Sequence, residues 1–111
     1  MTRVGFLVQY FPTELGQRLA LLGDAKQLGE WRVKVIAREL PLGFGFWYTE
    51  VVLPEEEVRW KWGVVGAHSG VIERWEERED RHLAVDGRTT VVYAVWAHHH
   101  YVTYPPDKGK T

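Results

Sequence analysis

Residues 58–64 alternate large apolar side chains with polar or small ones at a period of two. The apolar set is Val58, Trp60, Trp62 and Val64, and the intervening set is Arg59, Lys61 and Gly63. Successive side chains of a β-strand point to opposite faces, whereas the faces of a helix repeat about every 3.6 residues. The segment is therefore predicted to be a strand that buries two indoles on one face and turns Lys61 to the other.

Similar short runs, separated by Gly, Pro and charged turns, recur through the chain without a sustained helical period. We predict strands at residues 4–10, 18–22, 33–38, 46–53, 58–64, 71–75 and 89–97. The polar stretch 25–30 and the charged residues 76–81 are predicted to be solvated loops. The pattern favours an all-β fold, an immunoglobulin-like antiparallel β-sandwich of about seven to eight strands, with a barrel as the alternative.

The chain length sets the domain organisation. Its 111 residues suffice for one hydrophobic core but not for two. We predict one module over residues 1–100 and a flexible C-terminal tail over residues 101–111, where two prolines and several charged residues follow the last strand. A module of this size can be one part of a larger protein.

Charge and composition exclude several classes of partner. The 14 basic side chains nearly balance the 15 acidic ones, so nothing attracts the chain to nucleic acid or to an anionic membrane. The sequence has no cysteine, which excludes disulfides and thiol catalysis and fits a reducing compartment, so we expect a cytoplasmic location. No apolar run approaches the ~20 residues that span a bilayer, and we expect no direct membrane insertion.

The run His98-His99-His100 is the densest group of side chains that could bind a metal. Adjacent residues of an extended segment point to opposite sides, so three consecutive imidazoles cannot all reach one ion. We therefore predict no metal site, and nothing else in the sequence calls for a cofactor.

The tryptophans divide into two groups. Trp60, Trp62 and Trp96 share a strand face with Val or Ala residues and are predicted to be core. Trp31 and Trp75 lie instead in two short loop motifs, at residues 28–31 and 74–77. An indole held at a loop can face solvent and stack on a flat apolar surface of a ligand, although it can also pack inside.

These tryptophans belong to an ordered series of short motifs. The series is Gly23, Leu28-Gly29-Glu30-Trp31, Trp47 five residues before Val52-Leu53-Pro54, Trp60-Lys61-Trp62, Trp75-Glu76 and Arg81. It spans roughly residues 4–98 and resembles the starch-binding domain, the family 20 carbohydrate-binding module of amylases, glucoamylases and intracellular glycogen-associated proteins. Arg59-Trp60-Lys61 and residues 70–77 and 91–96 are similar to an animal member that tethers glycogen to membranes.

The resemblance implies a non-catalytic module that binds α-1,4-glucans (starch, glycogen, maltooligosaccharides, cyclodextrins) by aromatic stacking and so localises an attached or associated protein. At the principal site it implies Trp31 and Trp75 as the stacking pair and Lys61 as a polar contact. Asp80 occupies a family position that is usually Asn, and it can accept a hydrogen bond but not donate one as Asn does. A second family site uses two tyrosines and a tryptophan, of which only Trp47 matches, so we expect that site to be weak or absent.

Two other function classes remain open. An immunoglobulin-like or fibronectin-like domain would bind a protein partner through exposed aromatic residues and an apolar patch of roughly several hundred Å². A glycosidase needs two carboxylates beside the scissile bond, and Glu73, Glu76 and Glu77 supply carboxylates, yet any charged turn does so. We expect no catalysis, and we predict that Glu76 and Arg81 tie the loop that carries Trp75 rather than contact sugar.

Overall fold

The structure, a computed structural model, describes residues 1–12, 14–88, 90–98 and 101–104. Its strands are β1 (Thr2–Gln9), β2 (Arg18–Gly23), β3 (Val35–Ile36), β4 (Arg38–Glu39), β5 (Phe46–Leu53), β6 (Glu57–Val65), β7 (Ile72–Trp75), β8 (Arg81–Ala84), β9 (Thr90–Val95) and β10 (Tyr101–Tyr104). A 3₁₀ helical turn, Lys26–Trp31, follows β2 where a loop was predicted. No helix in this described part of the chain is long and apolar enough to cross a membrane.

The strands form two sheets that face each other across one core, so the predicted β-sandwich is confirmed. The first sheet has the order β10-β9-β1-β5-β4, and the second has the order β3-β2-β6-β7, with β8 also paired to β6. Every pair is antiparallel except β1 and β9, which run parallel. The strand number exceeds the prediction because several strands have only two to four residues.

The main core lies between the inner faces of the two sheets. Trp60 and Trp62 are both 0% exposed, as the alternation in β6 predicts, and the ring of Phe6 packs 5.0 Å from that of Trp60. Trp96, also predicted to be core, is only half-buried. Its indole N–H donates to Glu77 Oε2 at 2.8 Å, so the ring lies at the border of the core with its polar edge outward.

Residues 33–38 do not form the single strand that their alternation predicts. They contribute β3 to the second sheet and β4 to the first, and the chain passes between the sheets at Ala37. Ala37 is 4% exposed, and its amide N–H donates to the Leu19 carbonyl at 2.9 Å. A period of two continues through such a crossing, so the pattern alone does not reveal it.

The structure also departs from the predicted tail. Residues 101–104 form β10, which pairs antiparallel with β9, and the ring of Tyr101 lies 5.9 Å from that of Trp60. The rest of that tail, residues 105–111, lies outside the described residues, as do His99 and His100.

Candidate functional site

The outer face of the second sheet carries a small apolar cluster that is separate from the main core. Ala20, Leu22 and Val65 are buried in it, and Trp31 and Ile72 pack against them. Strand β2 is therefore covered on both faces, which explains its continuous apolar run. Lys61 and Gly63 precede Val65 at intervals of two residues along β6, so they lie on the same outer face.

Trp31 reaches this face from the helical turn, which is held in place both by the end of β2 and by a buried leucine within the turn. Gly23 closes β2 so tightly against β6 that a Cβ at this position would lie 2.4 Å from the Arg59 carbonyl oxygen. Leu28 is 0% exposed and holds the turn in the main core. Because the turn is held in place, the point at which the Trp31 side chain leaves the backbone is fixed as well.

Gly29 interrupts the turn with a kink and changes the direction of the chain. The amide N–H groups of Leu28 and Glu30 both donate to the Ala25 carbonyl, at 2.9 and 3.2 Å. Gly29 has φ 79°, the left-handed conformation that commonly follows a helix and that glycine adopts without steric cost. Its carbonyl then accepts hydrogen bonds from the amide N–H groups of residues 32 and 33, at 2.9 and 3.1 Å.

Two further residues of this loop hold a left-handed backbone without being glycine. Glu30 has φ 52° and Trp31 has φ 63°. Each such residue costs about 1–2 kcal/mol relative to the right-handed form. Backbone strain of this kind persists only where the surroundings enforce it and is often found at binding sites. Here it fixes the direction in which the Trp31 indole leaves the chain.

Trp75 contacts Trp31 on this same outer face, and it approaches from the opposite edge of the cluster. It ends β7 opposite Gly63, two residues from Lys61 on the same face of β6, and it is 40% exposed. The two indole centroids are 6.4 Å apart and the ring planes meet at 64°. Both indoles thus lie outside the main core, at an angle to each other.

Lys61 and Asp80 form the polar part of the same surface. Strands β7 and β8 pair with successive parts of β6, residues 63–65 and 57–60, so the loop between them passes beside Lys61. Lys61 Nζ lies 3.8 Å from Asp80 Oδ1, and the side chains are 16% and 44% exposed. The structure therefore brings together all four residues that the resemblance implies for the principal site.

The predicted second-site tryptophan does not lie on this or any other open surface. Trp47 is 5% exposed and packs in the main core. Its indole N–H donates to the Tyr10 carbonyl at 3.2 Å. Stacking on a sugar requires an uncovered ring face, so we do not retain Trp47 as a binding residue.

The charged run at residues 76–81 is not the fully solvated loop that was predicted. Its ends, Glu76 and Arg81, are each 1% exposed and form an ion pair inside the sandwich. Arg81 also begins β8, an unpredicted strand in which Arg81 and Leu83 are buried and the residues after each are exposed, and the alternation continues to the buried Val85 just beyond the strand. This alternation could have indicated the strand from the sequence, but its first buried position is a charged arginine, so the apolar pattern was not recognised.

Arg74 and Glu77 brace the segment that carries Trp75. Arg74 Nη1 donates to the Tyr10 hydroxyl at 3.1 Å, and its guanidinium carbon lies 5.6 Å from the centre of the Trp96 ring. The hydrogen bond from Arg74 lowers the pKa of Glu77 below its ordinary value. Within the residues that the structure describes, no group of three or more His, Cys, Asp or Glu side chains could hold a metal ion.

Curated and solved proteins resemble this chain in sequence and fold. It is 33% identical over 99 residues to the human starch-binding domain-containing protein 1, a match that covers 86% of this chain and 26% of that protein. The chain thus spans about a quarter of the length of this relative. The family 20 module of a maltotetraose-forming amylase from Pseudomonas saccharophila STB07 superposes with a TM-score of 0.66 at 21% identity, covering 83% of this chain and 99% of that one.

A catalytic protein also contains this fold. A family 15 glucoamylase from Hypocrea jecorina gives a TM-score of 0.75 at 21% identity, covering 87% of this chain but only 17% of the glucoamylase. The family model described as the starch binding domain matches residues 1–95. This chain belongs to the starch-binding domain family, the family 20 carbohydrate-binding modules.

Proposed function

We propose that this module binds α-1,4-glucan chains of starch or glycogen between Trp31 and Trp75, with Lys61 and Asp80 as polar contacts, and that it has no catalytic activity. The observation that supports this most strongly is the angled indole pair, of which Trp75 is 40% exposed, on the same sheet face as a lysine paired with a carboxylate. Its role is to hold an attached or associated protein on the polysaccharide.

The shape of the indole pair suits a coiled sugar chain. A glucose ring offers C–H bonds on its faces and hydroxyls at its rim, so an indole matches the faces and polar side chains match the rim. Successive glucoses of an α-1,4-glucan turn relative to each other, and planes that meet at 64° can cover two of them. A flat β-1,4 chain would require coplanar rings.

The polar pair supplies what the hydroxyls need. Lys61 donates hydrogen bonds and Asp80 accepts them, and a sugar hydroxyl can do both. Their separation of 3.8 Å exceeds the hydrogen-bond range of about 2.7–3.2 Å, so neither group is saturated by the other. Adjacent hydroxyls can therefore hydrogen-bond to one of these groups each without breaking a strong internal bond.

The area available for stacking indicates weak binding at each site. Trp75 is 40% exposed, which corresponds to about 100 Å² of a large indole surface. At about 25 cal/mol per Å² this is about 2.5 kcal/mol, and ordering the sugar opposes it. We expect a Kd in the micromolar to millimolar range, roughly, with retention on the polymer increased by repeated contacts.

The positions of the carboxylates support the absence of catalysis. Glu76 is buried against Arg81, Glu77 accepts a hydrogen bond from Arg74, and Glu73 accepts one from Ser69 at 3.0 Å. Each of them is occupied in holding local structure. The glucoamylase match covers only 17% of that enzyme, so the likeness extends to a small part of a catalytic chain.

Calorimetric titration with maltoheptaose tests the proposal. The wild-type protein should bind, and Trp31→Ala should weaken binding by about tenfold or more. Tyr104→Ala is the matched control, because Tyr104 is 56% exposed but belongs to β10 of the other sheet. A folded Trp31→Ala protein that binds as the wild type does would refute this site, and indifference of the wild type to maltoheptaose would favour a protein-binding domain. No reducing sugar should be released during the titration.

A further inference from the structure

Glu76 and Arg81 form a buried hydrogen-bond network directly behind the indole pair. Both side chains are 0% exposed. Arg81 Nε donates to Glu76 Oε1 at 3.1 Å, and Arg81 Nη2 donates to Glu76 Oε2. The guanidinium carbon lies 5.5 Å from the centre of the Trp60 ring. This planar, two-pronged contact restricts the orientation of both side chains.

The network also joins the two sheets. Glu76 Oε1 accepts the amide N–H of Trp62 in β6 at 3.3 Å, and Oε2 accepts the amide N–H of Ala97, just beyond β9, at 2.8 Å. Arg81 Nη2 donates to the carbonyl of Val95 in β9 at 3.1 Å. The carboxylate thus receives hydrogen bonds from both sides of the sandwich, and each bond is directional.

Three of the four residues proposed to bind glucan are chain neighbours of this network. Trp75 precedes Glu76, Asp80 precedes Arg81, and Lys61 lies between the two buried tryptophans of β6 that contact the pair. Adjacent residues in extended backbone point to opposite sides. The inner pair and the outer site are therefore two faces of the same backbone segments.

We propose that Glu76 and Arg81 are positioning residues for glucan binding: their buried pair sets the angle and place of Trp75 and the distance from Asp80 to Lys61. This inference rests on the proposed function. It assigns a role to two residues that do not contact the sugar.

The chemistry of the pair favours a geometric role over a purely stabilising one. Removing two charges from water is unfavourable, and an apolar pair of similar volume is often as stable or more so. Arg81 Nη1 is buried and has no hydrogen-bond partner among the described residues, a further unfavourable feature. What an apolar pair cannot reproduce is the set of directional bonds to Trp62, Val95 and Ala97.

The test replaces the pair by apolar residues in the double variant Glu76→Leu/Arg81→Met. Two readouts are used: the maltoheptaose Kd, and the far-ultraviolet circular-dichroism couplet of the sugar-free protein, identified by its loss in Trp31→Ala. This couplet arises between neighbouring indoles and depends on the angle between them. We expect the double variant to fold, to bind about tenfold more weakly or worse, and to have an altered couplet.

Two further variants keep the test decisive. Val92→Ala removes volume from a core position that is 0% exposed in β9, and this destabilised control should retain both the wild-type Kd and the couplet. Arg81→Lys keeps the charge but loses the two-pronged contact, and it replaces the double variant if that protein does not fold. It should also bind more weakly and alter the couplet.

The positioning role would be overturned if the folded double variant kept the wild-type couplet and Kd. If the double variant does not fold, the same result for Arg81→Lys would overturn it. Val92→Ala with the same changes as the pair variants would overturn it too, because the changes would then follow from lost stability. If the wild type itself does not bind maltoheptaose, the proposed function fails, but the sugar-free couplet still decides whether the pair orients the indoles.

Discussion

Gly29→Ala should lower both the stability of the module and its affinity for glucan. Gly29 has φ 79°, where alanine is disfavoured by about 1–2 kcal/mol, partly offset by about 0.4–1 kcal/mol from the less flexible unfolded chain. The new Cβ would also lie 3.1 Å from Val33 Cβ, a tight contact. We therefore expect a loss of about 1 kcal/mol, which lowers the melting temperature by about 4–8 °C in a domain of this size.

Gly43→Ala is a control matched in backbone conformation. Gly43 has φ 78°, and nothing lies within 4 Å of the position that its Cβ would take. Its stability loss should be similar, or slightly smaller because no contact is strained. It belongs to the connection between β4 and β5 in the first sheet, whereas Gly29 directly precedes the left-handed residues Glu30 and Trp31. Only Gly29→Ala should therefore weaken glucan binding.

Urea unfolding and maltoheptaose calorimetry, performed on both variants at a temperature where each is fully folded, separate the two effects. Equal losses of affinity in the two variants would show that binding follows overall stability and not the Trp31 loop. A Gly29→Ala protein with unchanged stability and affinity would refute the argument that the left-handed backbone fixes the indole.

Three other predictions follow from contacts at or near the site. Trp75→Ala should cost about 1–2.5 kcal/mol of binding, roughly 5- to 60-fold in the calorimetric Kd, because it removes the 40% exposed indole. Gly23→Ala should lower the urea-unfolding free energy by about 1–3 kcal/mol, since its Cβ would lie 2.4 Å from the backbone oxygen of Arg59. The folded-state pKa of Glu77 is lowered by its hydrogen bond from Arg74, so its stabilisation is present above its ordinary pKa of 4.5 and is lost as the pH falls through the folded value. In Glu77→Gln, the free energy of unfolding should no longer fall with pH for this reason, which urea-unfolding curves measured from above pH 4.5 to below it can show. The difference from the wild type should be only about a few tenths of a kcal/mol, because the side chain is half-exposed.

The sequence predicts the parts of the site that depend on local pattern. The alternation in β6 places Trp60 and Trp62 inside and Lys61 outside, because adjacent side chains of a strand cannot share a face. The motif around Gly29 predicts only that Trp31 lies in a loop, where an indole can face solvent or pack inside, and it is the resemblance to the starch-binding domain family that implies a stacking role. The alternation in β6 therefore follows from neighbouring residues alone, whereas the role of Trp31 does not.

The remaining features depend on partners that are distant in the chain. Glu76 and Arg81 are buried because Trp62, Val95 and Ala97 supply hydrogen-bonding groups from two sheets, and a charge pattern contains no record of such partners. The burial of Trp47 likewise depends on which distant residues pack on its ring. The left-handed backbone beyond Gly29 has no sequence signal, because its residues are of types that usually avoid this conformation.

The parallel pairing of β1 with β9 has a consequence for the order in which the molecule folds. Val4 pairs with Thr90, so the central strands of the first sheet come from opposite ends of the chain, and closing so large a loop is slow. All strands of the second sheet lie within residues 18–84 and can associate earlier. The backbone groups of Val95 and Ala97 that bind Arg81 and Glu76 arrive only with β9. A nascent chain would thus complete the buried pair, and with it the surface that we propose to bind glucan, only after β9 has been synthesised.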